Sequence, residues 1–249
     1  MRTSVLLSLT LLVATRGVAQ SVTSRINAVS SGTVRMAFPA RPGVCGDGDH
    51  NISFHRAGDR DEWEGNCQSG PVRVALDRSG GRTVALRAYV GGNWRGTNAV
   101  DLGLVPAAEA SAWLLGLAER NEPASEEAIF PATIGEGVTA WPALLRVARN
   151  QEVQKKVRRS AIFWLGQAAG EAATAGLDSI TQDQRQDQEV REAAIFALSQ
   201  RPKDEGVPAL IRVAKSNRDP ELRKKALFWL GQSEDPAALA LFEELLTKP

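Results

Sequence analysis

The hydrophobic pattern of this chain changes period once. Up to about residue 105, apolar positions alternate with others. Val34, Met36 and Phe38 form one such run, and Val72, Val74 and Leu76, with Arg73 and Ala75 between them, form another. A third comprises Val84, Leu86, Ala88 and Val90, interleaved with Ala85, Arg87 and Tyr89. A period of two predicts strands with one covered face. Asp77-Arg78-Ser79-Gly80-Gly81 separates the last two runs and supplies glycines able to take positive φ, so the pair reads as a hairpin. A hairpin is marginal alone, so these strands require a larger sheet or a helix to pack on. The nearest predicted helix is Pro106 to Glu119, with Pro at its start and Trp113, Leu114 and Leu117 on an apolar surface. Pro123, Pro131, Gly135 and Gly137 then break residues 121 to 137 into an ordered connection, with Ile129 and Phe130 as its packing groups.

From about residue 138 the pattern becomes helical and recurs. Ser160–Gln167 contains AIFWLGQ; it returns as AAIFALSQ at Ala193–Gln200 and as KALFWLGQ at Lys225–Gln232. Phe163, Phe196 and Phe228 lie 33 and 32 residues apart, a spacing that announces stacked helix pairs. A first helix precedes each of these at Pro142–Arg149, Thr174–Thr181 and Pro208–Lys215, and a last one runs from Pro236 to Leu246. Val157, Ala161 and Leu165 fall on one stripe, where small alanines permit close helix approach. The recurrent Phe and Leu are expected to fill the core between repeats. Trp164 and Trp229 occupy one repeat position where the middle repeat has Ala197, which suits either the edge of that core or a contact anchor.

The second helices open on a valine or leucine, an arginine, two variable residues and an alanine: Val157-Arg158-Arg159-Ser160-Ala161, Val190-Arg191-Glu192-Ala193-Ala194 and Leu222-Arg223-Lys224-Lys225-Ala226. Asp187 and Asp219 stand three residues before Val190 and Leu222; Gln154 takes that place in the first repeat and departs from the pattern. Over residues 138–247 the sequence resembles bacterial HEAT-repeat proteins, of the short HEAT-like type also found in phycobilin lyases. The resemblance implies a structural ladder in which Arg158, Asp187, Arg191, Asp219 and Arg223 hold neighbouring repeats in register. Fold alone transfers no lyase activity. The expected architecture is mixed: a β-rich domain over 20–105, a helix and ordered connection over 106–137, and an all-α HEAT-like solenoid of three to four helix pairs over 138–249.

The first 19 residues read as an export signal. Arg2 is the positive start, Val5 to Ala14 is apolar but for Ser8 and Thr10, and Gly17-Val18-Ala19 offers small residues for cleavage after Ala19. The apolar run is too short to span a bilayer. Cleavage removes Arg2 and Arg16, taking the formal charge from +1 to −1. Such a balance argues against nucleic-acid binding. In an oxidising compartment Cys45 and Cys67, the only cysteines, are expected to form a structural disulfide.

Candidate chemistry is sparse. Asp47, Asp49, His50, His55, Asp59, Asp61, Glu62 and Glu64 crowd the segment between the cysteines. Asp47-Gly48-Asp49-His50-Asn51 begins like an EF-hand loop, but Ile52 replaces its turn glycine and Gly58 its final glutamate. His50 and His55 lack the H-E-x-x-H spacing of a zinc helix. No G-x-S-x-G, phosphate-binding loop or dinucleotide fingerprint occurs, so no cofactor is expected. The expected role is that of an exported interaction or scaffold protein, its partner another envelope or secreted protein, with no stable membrane insertion. Trp164, Trp229, Lys155, Lys156, Arg159, Lys224 and Lys225 form the candidate surface. Two alternatives are a small envelope enzyme or metal-binding protein using the acidic loop, and carbohydrate recognition by the front domain through Trp63, Tyr89 and Trp94.

Overall fold

The computed structural model describes residues 20–49, 52–54, 67–94, 96, 98–168 and 170–247. A short helix α1 (Val22–Asn27) precedes seven strands: β1 (Gly32–Phe38), β2 (Val44–Gly46), β3 (Ile52–Phe54), β4 (Gln68–Ser69), β5 (Val72–Ser79), β6 (Arg82–Val90) and β7 (Val100–Leu104). Four of them form a sheet of order β6-β5-β1-β7, antiparallel except for the parallel β1–β7 edge. The other three form a small sheet, β3-β2-β4, in which Cys45 of β2 is bonded to Cys67 beside β4.

Three rungs across the larger sheet, Val34–Leu76–Leu86, Met36–Val74–Ala88 and Phe38–Val72–Val90, turn one face inward, as the period of two requires. This face belongs to one contiguous core with the buried side of α2 (Ala107–Glu119). Gly135 marks the junction: a Cβ there would press on Val138 at 2.9 Å, on Ala107 at 3.3 Å and on Phe38 at 3.5 Å. Two sequence expectations need adjustment. The turn between β5 and β6 is only Gly80-Gly81, both at positive φ, so β5 runs on through Ser79. A bulge after Asp77 then leaves Val84 exposed and puts Thr83 inside instead.

Beyond α2 come α3 (Ile129–Thr133), α4 (Trp141–Arg149), α5 (Lys155–Gly166), α6 (Glu171–Gln182), α7 (Gln188–Ser199), α8 (Lys203–Ser216), α9 (Pro220–Gly231) and α10 (Pro236–Thr247). They pack in two layers, α4-α6-α8-α10 and α5-α7-α9, with α2 set against α4 and α3 against α5. The buried stripes are Val157, Ala161, Ile162 and Leu165 in α5, their counterparts Val190, Ala194, Ile195 and Leu198 in α7, and Leu222, Ala226 and Leu230 in α9.

The expectation that the recurrent phenylalanines fill this core is wrong. Phe163, Phe196 and Phe228 are 42%, 36% and 59% exposed. Each follows the stripe alanine by two positions, about 200° around the helix, so it faces outward when the alanine faces in. The third first-layer helix also starts earlier than expected. It begins at Lys203, so Pro208 lies inside α8, where it cannot donate to the carbonyl of exposed Asp204.

Candidate interaction surface

Helices α5, α7 and α9 present equivalent outward stripes. Each has charged residues in its first turns, carries a Phe in its last turn and ends on an exposed Gln: Gln167, Gln200 and Gln232. The sequence register extends one unit further upstream. Phe130 in α3 lies 33 residues before Phe163, and Asn121 lies 33 before Gln154. Each Trp reaches back to the preceding helix. Trp164 stacks on Phe130 at 4.8 Å and meets Phe163 edge-on at 5.1 Å; Trp229 packs on Phe196 at 5.2 Å and on Phe228 at 5.1 Å. Both Trp side chains are half-buried against the core. Ala197 interrupts the series because α5 and α7 touch there: a Cβ on Gly166 would lie 3.0 Å from that of Ala197. An indole has no room at this crossing.

Beside the aromatic row, Lys155 pairs with Glu189 at 3.0 Å, Lys156 with Glu126 at 3.3 Å, Lys225 with Glu192 at 3.0 Å and Lys224 with Glu221 at 3.2 Å. Three of these pairs tie α5 to the turn before α3 and to α7, and α9 to α7, while the fourth lies within α9, and the sequence cluster of cations is not a concentrated positive field. Arg159 lines a cleft of about 430 Å³ with Lys156, Phe163, Ala193 and Phe196, where the aromatic row crosses from α5 to α7.

On the other flank, Arg158 donates to Asp187 and, at 3.0 Å, to Gln186. Arg191 donates to Asp219 at 3.0 Å, and Arg223 to the carbonyls of Asn217 at 2.8 Å and Arg218 at 3.3 Å. Asp219 also caps α9 through the Glu221 amide. At the departing repeat the rung is Asn121, whose side chain accepts from the Gln154 amide at 2.9 Å and donates to the Glu152 carbonyl at 2.7 Å. Gln186 and Asn217 bond the carbonyls of Arg149 and Thr181 and so tie each turn to the preceding first-layer helix.

Sequence reasoning missed Arg201. Its buried guanidinium donates to the carbonyls of Gly166, Ala168 and Gly170, to Thr174 and to Glu205. The hydrogen bond from Thr174, followed by that from Arg201, holds the Glu205 carboxyl below the usual carboxylate range.

Tyr89 and Trp94 meet edge-on at 6.3 Å beside a cleft on the outer face of the sheet. Of the acidic segment, Asp47 and Asp49 are described, Asp47 accepting from the Asp49 amide at 2.8 Å. His50, His55, Asp59, Asp61, Glu62, Trp63 and Glu64 lie outside the described residues, as does the expected export signal. Among the described residues no three or more His, Cys, Asp or Glu gather as a metal cluster, and no helix is long and apolar enough to cross a membrane.

No protein of curated function matches this sequence. The family model described as HEAT repeats matches residues 180–249, which cover the end of α6 and all of α7 to α10, so that segment of the chain is a HEAT-repeat domain.

Proposed function

We propose that the chain is an exported interaction protein whose outward helical face, built on Phe163, Phe196 and Phe228, docks a protein partner without catalysing a reaction on it. The observation that carries this reading is the exposure of one large apolar residue at the same position of the three neighbouring helices α5, α7 and α9. Folding alone does not require it, since Ile162, Ile195 and the leucines already fill the core. Exposed apolar groups in a contiguous row are the usual mark of a contact surface. The HEAT-repeat segment supports a scaffold role, because such stacks offer broad surfaces for other chains. Export is supported by the amino-terminal composition and the Cys45–Cys67 disulfide.

The test compares affinity capture from envelope and secreted fractions by the natural protein and by a Phe163→Ser/Phe196→Ser/Phe228→Ser variant of unchanged circular dichroism. The expected result is a specific protein held by the first and lost by the second. Equal retention by both removes the aromatic row from the interaction. Export is read independently from the mass of the purified chain, expected to begin at Gln20.

A further inference from the structure

We infer that the outer face of the four-stranded sheet binds a neutral saccharide. This face carries Arg35, Ala75 and Arg87 in one rung and Ala37, Arg73 and Tyr89 in the next. An open sheet face leaves arginines in water, yet Arg73 is only 5% exposed. What encloses it is a pair of loop walls, Gly48 and Asp49 on one side and Asn93, Trp94, Gly96, Asn98 and Ala99 on the other, which leave a cleft of about 560 Å³ between them. That volume lies in the range of small-molecule sites, about 300–1,000 Å³.

The walls are fixed to the floor. The Gly48 amide donates to the Val90 carbonyl at 2.9 Å, and Arg73 donates to the carbonyls of Gly48, at 3.1 Å, and Gly91. A Cβ on Gly48 would lie 2.8 Å from the Gly92 Cα, so only glycines allow this approach. On the opposite side Arg35 donates to the Gly96 carbonyl at 3.2 Å. The guanidiniums of Arg35 and Arg73 lie 5.4 and 5.1 Å from the centre of the Trp94 ring, and Tyr89 holds that ring edge-on. The aromatic corner is therefore set before any ligand arrives, which reduces the entropy lost on binding.

The charges choose the ligand class. Arg35 is paired with Asp101 at 2.8 Å and Arg87 with Asp77 at 2.9 Å, and Asp49 stands on the cleft wall. Among the described residues the three guanidiniums at the cleft are thus offset by three carboxylates on or beside its lining, a balance that favours an uncharged ligand over a phosphate or another anion. Guanidiniums only donate and carboxylates only accept, while the amides of Asn93 and Asn98 and the Tyr89 hydroxyl do both. A ligand that suits such a lining is uncharged, donates and accepts at neighbouring atoms, and offers an apolar face to Trp94 and Tyr89. Vicinal hydroxyls on a pyranose ring meet all three conditions.

The purified full chain is screened on an array of neutral oligosaccharides of glucose, galactose, mannose and N-acetylglucosamine. Galacturonate oligomers and inorganic phosphate, titrated calorimetrically, are the charged controls. The expected result is saturable binding of a subset of neutral glycans, insensitive to added salt. Trp94→Ala is expected to weaken it by about tenfold or more. Asn98→Ala, at an exposed position, serves as a second variant with unchanged melting and a weakening of about threefold. The Phe163→Ser/Phe196→Ser/Phe228→Ser variant retains full glycan binding, which separates this site from the helical face. Three results overturn the inference: no saturable neutral glycan, binding confined to the charged controls and falling with salt, or affinity unchanged in both Trp94→Ala and Asn98→Ala.

Discussion

Replacing Arg201 by methionine isolates the least visible tie in the helical stack. The Arg201 side chain is 4% exposed and sits between the end of α5, the start of α6 and the first turn of α8. Methionine keeps most of the aliphatic stem but removes every donor. Glu205, 2.7 Å from the guanidinium and mostly covered, then loses its cation, and Thr174 loses a 2.8 Å partner. Stranding one member of a buried ion pair costs about 3–5 kcal/mol. Water can still reach the carbonyls of exposed Gly170 and half-buried Ala168, so only the buried Gly166 carbonyl is left unsatisfied, which places the loss toward the upper part of that range. The expected destabilisation is therefore about 3–5 kcal/mol, a large part of the roughly 5–15 kcal/mol of an ordinary domain. Urea titration followed by circular dichroism and tryptophan fluorescence measures it, with coincidence of the two curves checking that unfolding stays cooperative. Arg201→Met/Glu205→Met should be more stable than the single variant, because the stranded carboxylate is gone. A single-variant loss below about 1 kcal/mol, or a double variant no more stable than the single, would refute the assignment of this network as the tie between repeats.

Two further expectations follow from the same geometry. Because the folded Glu205 carboxyl titrates below its unfolded value, its contribution is complete above the usual glutamate range and is lost as pH falls through the folded pKa; Glu205→Gln should flatten the acid side of a melting-temperature profile without steepening the alkaline side. The Cys45–Cys67 bond closes a loop with a sequence separation of 22, so Cys45→Ser/Cys67→Ser should lower stability by about 3 kcal/mol, read by urea titration with the helical circular dichroism signal retained in the folded baseline.

The strands of the larger sheet were legible because one covered face imposes a period of two, and Val34, Met36, Phe38, Val72, Val74 and Leu76 all lie on it. The outer face was not legible, since its cleft depends on which residues sit side by side across β1, β5 and β6, and no local pattern encodes that pairing. Helical repeats declared themselves by spacing, yet the same spacing misled about the core. A Phe that recurs with the repeat looks like packing, whereas the angle between Ala161 and Phe163 already separates the two faces. Phe130 and Asn121 carried the repeat register upstream, but Pro123 between them and Pro131 just after Phe130 hid the helical pattern. Arg201 left no signal because three of its partners are backbone carbonyls, which every residue possesses.

A stack of helix pairs leaves an apolar face bare at each end unless something covers it. At the amino-terminal end the cover is α2, which lies against α4 while its Leu114, Leu117 and Ala118 join the core that continues into the sheet. The same helix is thus the first rung of the stack and the layer on which the sheet rests. α3 repeats this logic in the second layer, placing Phe130 under Trp164 just as Phe196 lies beside Trp229. At the other end α10 shows Leu239, Leu245 and Leu246 to solvent, with no described element beyond it. The shared helix α2 has a functional consequence for the two proposed sites. The cleft on the sheet and the aromatic row on α5, α7 and α9 are joined through packed, buried side chains rather than a loose tether, so a glycan held at one and a protein held at the other would sit in a fixed mutual geometry.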